Sequence, residues 1–211
     1  FIMKVLAIGC HPDDLEIQAG GTIRRYVLEG HEVYMAHTAN GDMGHAIIMP
    51  EELNAIREKE AERAGEVLGV KEVINVNIGD CSFRKNEWEA LQRVVTLIRR
   101  IDPDIIITHN PQDYMEDHVR VSNIVYEASF TATCPHMFMG EYPAASKVAP
   151  LYYMDTLAGN GFTPEQYVDI TDVMDTKLEA LRKHESQIKW MLDHDKIDFC
   201  EWVTACSRFR G

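Results

Sequence analysis

The residues of this chain that could do chemistry gather in two short stretches about a hundred positions apart. The first is Cys10-His11-Pro12-Asp13-Asp14-Leu15-Glu16, which brings one imidazole and three carboxylates within six residues. The second runs from His109 to His118 and carries Asp113, Tyr114, Asp117 and His118. His11 and Asp14, two residues apart on a tight loop, can converge on one ion. His118 would supply a second imidazole. Two imidazoles and one carboxylate leave a position open, as a hydrolytic metal requires. The cysteine-free N/O donor set suits Zn²⁺ and would accept Fe²⁺, Co²⁺ or Mn²⁺. A cation there lowers the pKa of a coordinated water toward about 7. Asp13, beside the ligands but facing elsewhere, is then the expected general base. Asp117 is the expected orienting group for His118, and Glu16 the expected support of the loop. A lone His-Pro-Asp-Asp arises by chance, and a lone His at a helix start is more often a cap; the pairing of the two stretches carries the reading.

Both stretches need a frame that brings them together. Met3–Gly9 is an apolar run of strand type that stops at the first cluster, and 104–108 (Asp-Ile-Ile-Ile-Thr) is a buried-type strand that stops at the second. Between them, helical patterns over 17–28, 50–68 and 87–100 alternate with strands over 31–38 and 72–78. A helix from Val119 to about Ala132 follows. A short strand lies over 151–155, and a long final helix is expected from the Asp169–Asp172 cap to about Leu192, with mixed helix and coil beyond. The paired glycines Gly20-Gly21 are expected to permit close packing. This alternation predicts an α/β fold: one doubly wound, mostly parallel sheet with helices on both faces, in a single domain over 1–211. Ligands in such sheets gather at the carboxyl ends of the strands.

Composition narrows the partners. A net charge of −13 argues against nucleic acid and against anionic membranes. No apolar run approaches the roughly 18 residues that span a bilayer, and no secretory leader is evident. Five cysteines without C-x-x-C spacing read as reduced thiols, so a cytoplasmic protein is expected. A nucleotide-binding Rossmann protein is disfavoured, because carboxylates stand where a glycine-rich phosphate loop belongs.

The motif order His11-Pro-Asp-Asp-x-Glu16, Gly20-Gly-Thr22, Arg57-x-x-Glu60 and Asp113-Tyr-x-x-Asp-His118 resembles the PIG-L/LmbE family of zinc-dependent N-acetylglucosaminyl deacetylases. The likeness runs from Met3 to about Ala128, with a weaker echo over Lys177–Gln187. It implies a Rossmann-like fold and hydrolysis of an N-acyl group, acetyl above all, from an N-acetylglucosamine-containing small molecule or glycan. It also implies Zn²⁺ on His11, Asp14 and His118, with Asp13 as base. Arg57 would contact substrate, Asp80 a sugar hydroxyl, and a homo-oligomer is compatible with the Met/Tyr-rich loop over 134–153. One departure stands out. Many members read His-x-Asp-His at the second motif, the first histidine being the acid or oxyanion donor; here Met115 occupies that place, and a thioether donates no proton. His184, Tyr114, His37 and His109 are the candidates to compensate. The alternative is a weak or idle member that binds metal and a sugar ligand without turnover.

Overall fold

The computed structural model describes residues 1–211. Its elements in order are β1 (Lys4–Gly9), α1 (Asp14–Gln18), α2 (Gly20–Leu28), β2 (Glu32–Ala39), α3 (Pro50–Leu68), β3 (Glu72–Ile78), α4 (Phe83–Ile101), β4 (Ile105–Thr108), α5 (Glu116–Thr131), β5 (Leu151–Tyr153), α6 (Met174–Arg182), α7 (Glu185–Trp190) and α8 (Phe199–Arg210). The five strands form one sheet in the order β3-β2-β1-β4-β5, and every pairing is parallel. The sheet is therefore doubly wound, as the alternation of strand and helix requires.

Strand periodicity explains the two cores. Successive side chains point to opposite faces, so Leu6 and Ile8 join one cluster and Val5 and Ala7 the other. The first cluster packs β-residues against Leu91, Val94, Ile98, Val121 and Val125 of α4 and α5. The second packs Val33 and Met35 against Ile23, Ala64, Leu68 and Ala180 of α2, α3 and α6. Both faces of β1 are thus buried, which is why its sequence reads as an unbroken apolar run.

The C-terminal third departs from expectation. Instead of one helix to Leu192, a 3₁₀ turn over Thr171–Val173 leads into α6, which stops at Arg182. His184 takes a non-helical ψ of 59° and starts α7. A π-helical segment, Met191–Asp195, follows. Asp169 acts locally, its Oδ1 accepting from the Thr171 N–H (2.9 Å) and hydroxyl (2.6 Å). The tail is regular helix, started by Asp198, which accepts from the Glu201 N–H at 3.0 Å.

The helix expected over 17–28 is also split, at Ala19 (φ −124°). Its glycines receive the C-terminal segment: a Cβ at Gly21 would meet Ile170 Cγ2 at 2.5 Å, and one at Gly20 would meet Lys177 Cγ at 3.2 Å.

Lys177 itself is buried, and its ammonium meets the Ser207 hydroxyl at 3.2 Å. Burial lowers its pKa from 10.5 to about 8. Because the folded value lies below the unfolded one, the penalty is complete below pH 8 and is relieved as pH rises toward 10.5. Lys177→Met is expected to stabilise the fold at pH 7 by roughly 3 kcal/mol. In chemical denaturation, the wild type should gain stability between pH 8 and 10 relative to the variant.

Candidate active site

The strand order places β1 beside β4 at the centre of the sheet. The chain proceeds from β1 to β2 on one side and from β4 to β5 on the other, which opens a crevice beyond their carboxyl ends. The loop after β1 enters it with His11, Asp13 and Asp14. The loop after β4 enters it with Asp113 and the first turn of α5. That helix begins at Glu116, three residues earlier than the sequence pattern suggested, so Asp117 and His118 are helical.

His11, Asp14 and His118 converge there, with one donor atom of each within 4.8 Å of the others. Asp14 Oδ2 is the hub. It accepts the His11 backbone N–H at 2.6 Å and lies 3.4 Å from His11 Nδ1 and 3.2 Å from His118 Nε2. His118 Nδ1 sits 3.2 Å from Asp113 Oδ2, which fixes the ring and aims Nε2 inward. That Nε2 is buried and makes no hydrogen bond. Neighbouring ligands about 2.1 Å from a tetrahedral cation are about 3.4 Å apart, so the spacing and the orphaned nitrogen fit a metal. The donors are nitrogen and oxygen, as expected for the ions named above.

The titration of the trio follows from this crowding. Burial pushes His118 down, but the Asp14 and Asp113 carboxylates outweigh it and lift the imidazole to about 9. Asp14 is held well below the usual carboxylate range: burial opposes ionisation, and His118, His109 and His11 overcome it. A cation on these groups would replace the protons that now balance the charge.

Asp13 lies one residue from the hub yet faces a different environment. Its φ of 125° is in a region that favours glycine, so the turn holds it under strain. Burial raises its carboxyl to about 6, against the pull of Arg57, whose Nη2 is 3.1 Å from Oδ2. Arg57 is buried on α3 and donates to the Pro12 carbonyl and, at 3.3 Å, to the Gly41 carbonyl. The resemblance implied this guanidinium on substrate; in the structure its partners are Pro12, Gly41 and Asp13, all within the chain. Beneath it, His184 Nε2 is 3.3 Å from Glu16 Oε1 with both side chains fully buried. Burial alone would lower the His184 pKa, and the Glu16 carboxylate turns the shift upward. Two acid–base pairs thus lie together: Arg57 with Asp13, and His184 with Glu16. His184 therefore stands beneath the site at the α6–α7 break rather than on a polar helix stripe.

The other expected residues divide. Asp117 does not meet His118. Adjacent positions on a helix point about 100° apart, and Asp117 Oδ2 instead lies 3.5 Å from His11 Nε2 and accepts the Cys81 N–H at 2.8 Å. The group that orients His118 is Asp113, which the sequence reading passed over although it lay inside the second motif. Asp80 accepts the Gly41 and Met43 N–H groups at 2.8 and 3.1 Å and so ties the loop after β3 to the loop after β2. Tyr114 is 61% exposed at the crevice. Its phenol pKa is raised, by burial first and then by the charges of Asp113, Asp14 and Asp13. Met115 precedes α5, its N–H donating to Asp113 Oδ1 at 3.0 Å. His37 and His109 are buried supports: His37 Nδ1 is 3.2 Å from the His11 carbonyl, and His109 Nε2 accepts the Cys10 N–H at 2.8 Å. Glu60, quoted only as part of a motif, accepts both the Ser186 N–H and its hydroxyl at 2.7 Å and so anchors α7 to α3.

Fold and crevice together define a doubly wound α/β protein with a buried His/Asp cluster at its switch point whose donor atoms could hold a metal ion. Residues 6–129 match the PIG-L family, described as GlcNAc-PI de-N-acetylase, and the chain belongs to that family. The diacetylchitobiose deacetylase of Thermococcus kodakarensis is 33% identical over 196 residues, covering 88% of this chain and 70% of the relative. The N,N'-diacetylchitobiose deacetylase of Pyrococcus horikoshii, solved with an inhibitor, superposes with a TM-score of 0.84 at 29% identity, over 99% of this chain and 78% of that one. GalB of Pseudomonas putida, a 4-carboxy-2-hydroxymuconate hydratase, gives a TM-score of 0.83 at 24% identity over 100% and 86%. At that identity the likeness shows the fold alone, and one fold hosts several chemistries.

Proposed function

We propose that the chain is a metal-dependent hydrolase that removes an N-acyl group, acetyl above all, from an N-acetylglucosamine-containing small molecule or glycan. The observation that carries this is the convergence of His11, Asp14 and His118 beside a strained, buried Asp13. His11, Asp14 and His118 would hold the ion, Zn²⁺ in this reading, with Fe²⁺, Co²⁺ or Mn²⁺ acceptable to the same donors. Bound there, such an ion would supply Lewis acidity to acidify a water and polarise an amide carbonyl.

The chain's own groups supply the rest. Asp13 takes the proton of the attacking water, and Arg57 keeps that carboxylate in position. His184 and Glu16 act through Asp13 as positioning groups, because their complete burial keeps them off the substrate. Tyr114, exposed at the rim, is the side chain offered to the sugar or to the developing oxyanion, in the place where Met115 donates nothing. Asp117 orients His11, and Asp80 holds the β2 loop that walls the crevice.

No helix is long and apolar enough to cross a membrane. Five unpaired cysteines support a reducing, cytoplasmic setting. Exposed Tyr126 and Phe130 on α5 and Tyr152 on the edge strand support a homo-oligomer.

An amine-release assay of the Zn²⁺-loaded protein tests the substrate class. N-acetylglucosamine compounds with neutral, lipid-linked and acidic aglycones are compared with N-acetylated amino acids. Turnover confined to the sugars supports the reading. Metal binding without turnover on any N-acyl sugar would favour the idle alternative.

A further inference from the structure

His11 faces two ligand sets, one with each ring nitrogen. Nδ1 looks toward Asp14, as described. Nε2 lies 3.5 Å from Asp117 Oδ2 and 3.7 Å from Cys10 Sγ. One donor atom each of Cys10, His11 and Asp117 lies within 4.8 Å of the others. Ligands bound at 2.0–2.3 Å around a tetrahedral ion are about 3.3–3.8 Å apart, and both spacings from His11 Nε2 fall in that range. Cys10 is fully buried against the first cluster, and the Cys81 N–H holds the Asp117 carboxylate in place at 2.8 Å.

We infer that Cys10 Sγ, His11 Nε2 and Asp117 Oδ2 form a second cation position, selective for a thiophilic ion, that competes with the His11–Asp14–His118 set. The selectivity follows from the donors: sulfur favours soft ions, whereas the first set offers only nitrogen and oxygen. The competition follows from His11. A neutral imidazole has one lone pair on the ring nitrogens, and the other nitrogen carries a proton. With the proton on Nε2, Nδ1 serves the first set and Nε2–H faces Asp117. With the proton on Nδ1, Nε2 serves the sulfur-containing set and Nδ1–H faces Asp14. While His11 stays a neutral imidazole, one tautomer serves one position, and the pair then holds one ion at a time.

A cysteine sulfur coordinates a cation as thiolate, so an arriving ion displaces the thiol proton to solvent. A thiophilic ion seated there would inhibit by withdrawing His11, without touching Asp13.

The inference shares His11 with the proposed centre but neither Asp14 nor His118, and the test exploits that difference. Metal-free protein is titrated with Cd²⁺ while the ultraviolet thiolate-to-cadmium charge-transfer band and the bound Cd²⁺ are recorded. Wild type, Cys81→Ser and His118→Ala should all show the band with one Cd²⁺ per chain. Cys10→Ser should lose it, and Cys10→Ala provides the same readout if serine perturbs the core. Absence of the band in wild type, or its persistence in both Cys10 variants, would overturn the assignment. Two Cd²⁺ per wild-type chain with one lost in Cys10→Ser would overturn the competition. Failure of the proposed hydrolytic centre would leave the band in His118→Ala unchanged, so the two ideas fall separately.

Discussion

Asp13→Asn is expected to reduce amine release by about 10²- to 10⁴-fold, the usual scale for losing a general base. Its bound metal should remain at the wild-type level. The substitution preserves shape and places a side chain of the same size at the positive φ that the native aspartate already adopts. It leaves His11, Asp14 and His118 with their own partners, because Asp13 touches none of the three donor atoms that converge. What it removes is the carboxylate that accepts a proton and the anion facing Arg57. Comparison should be made below the unfolding transition of the variant, followed by circular dichroism. Full activity in Asp13→Asn, with metal bound, would sink the assignment of the base.

The second large effect concerns Arg57. Truncation to alanine removes the donors to the Pro12 and Gly41 carbonyls and leaves Asp13 buried without its cation. Removing one partner of a buried pair costs about 3–5 kcal/mol. The Gly41 turn is built around this side chain: φ is +75°, and a Cβ there would meet Arg57 Nη1 at 2.7 Å. A lower unfolding free energy together with reduced kcat and little change in KM is therefore expected. A guanidinium that bound substrate would behave in the opposite way, raising KM with kcat and stability preserved. Urea denaturation and steady-state kinetics on one preparation distinguish the two.

The parts of this protein legible in its sequence are those governed by local rules. Strand runs such as 4–9 and 105–108 are apolar on both faces, so their positions came within about a residue. The proposed ligand types follow from chemistry, and the strand-end rule expected His11, Asp14 and His118 at one edge of the sheet, where their donor atoms converge. What stayed hidden depends on direction and on distant contacts. Asp117 was paired with its neighbour His118 because they are adjacent, yet helix geometry turns it toward His11, and Asp113 holds His118 instead. Arg57 is a charged residue in a helix of charged residues, and nothing local says that its side chain runs inward to a loop 45 residues away. The break at His184 has no proline or glycine to announce it; the buried Glu16 partner and the Glu60–Ser186 anchor account for it, and both are long-range. The last helix, expected only as mixed helix and coil, carried an unused signal, since Asp198-x-x-Glu201 has the form of a capping pair before an amphipathic run.

Metal-dependent turnover is the decisive property of the proposed centre. The protein is stripped with a chelator, and amine release from an N-acetylglucosamine disaccharide is followed as Zn²⁺ is added back. Stripping should abolish release, restoration should saturate near one Zn²⁺ per chain, and His118→Ala should not recover activity at any Zn²⁺ addition. Release that survives complete removal of metal, or that His118→Ala supports at the wild-type rate, would contradict the proposed centre.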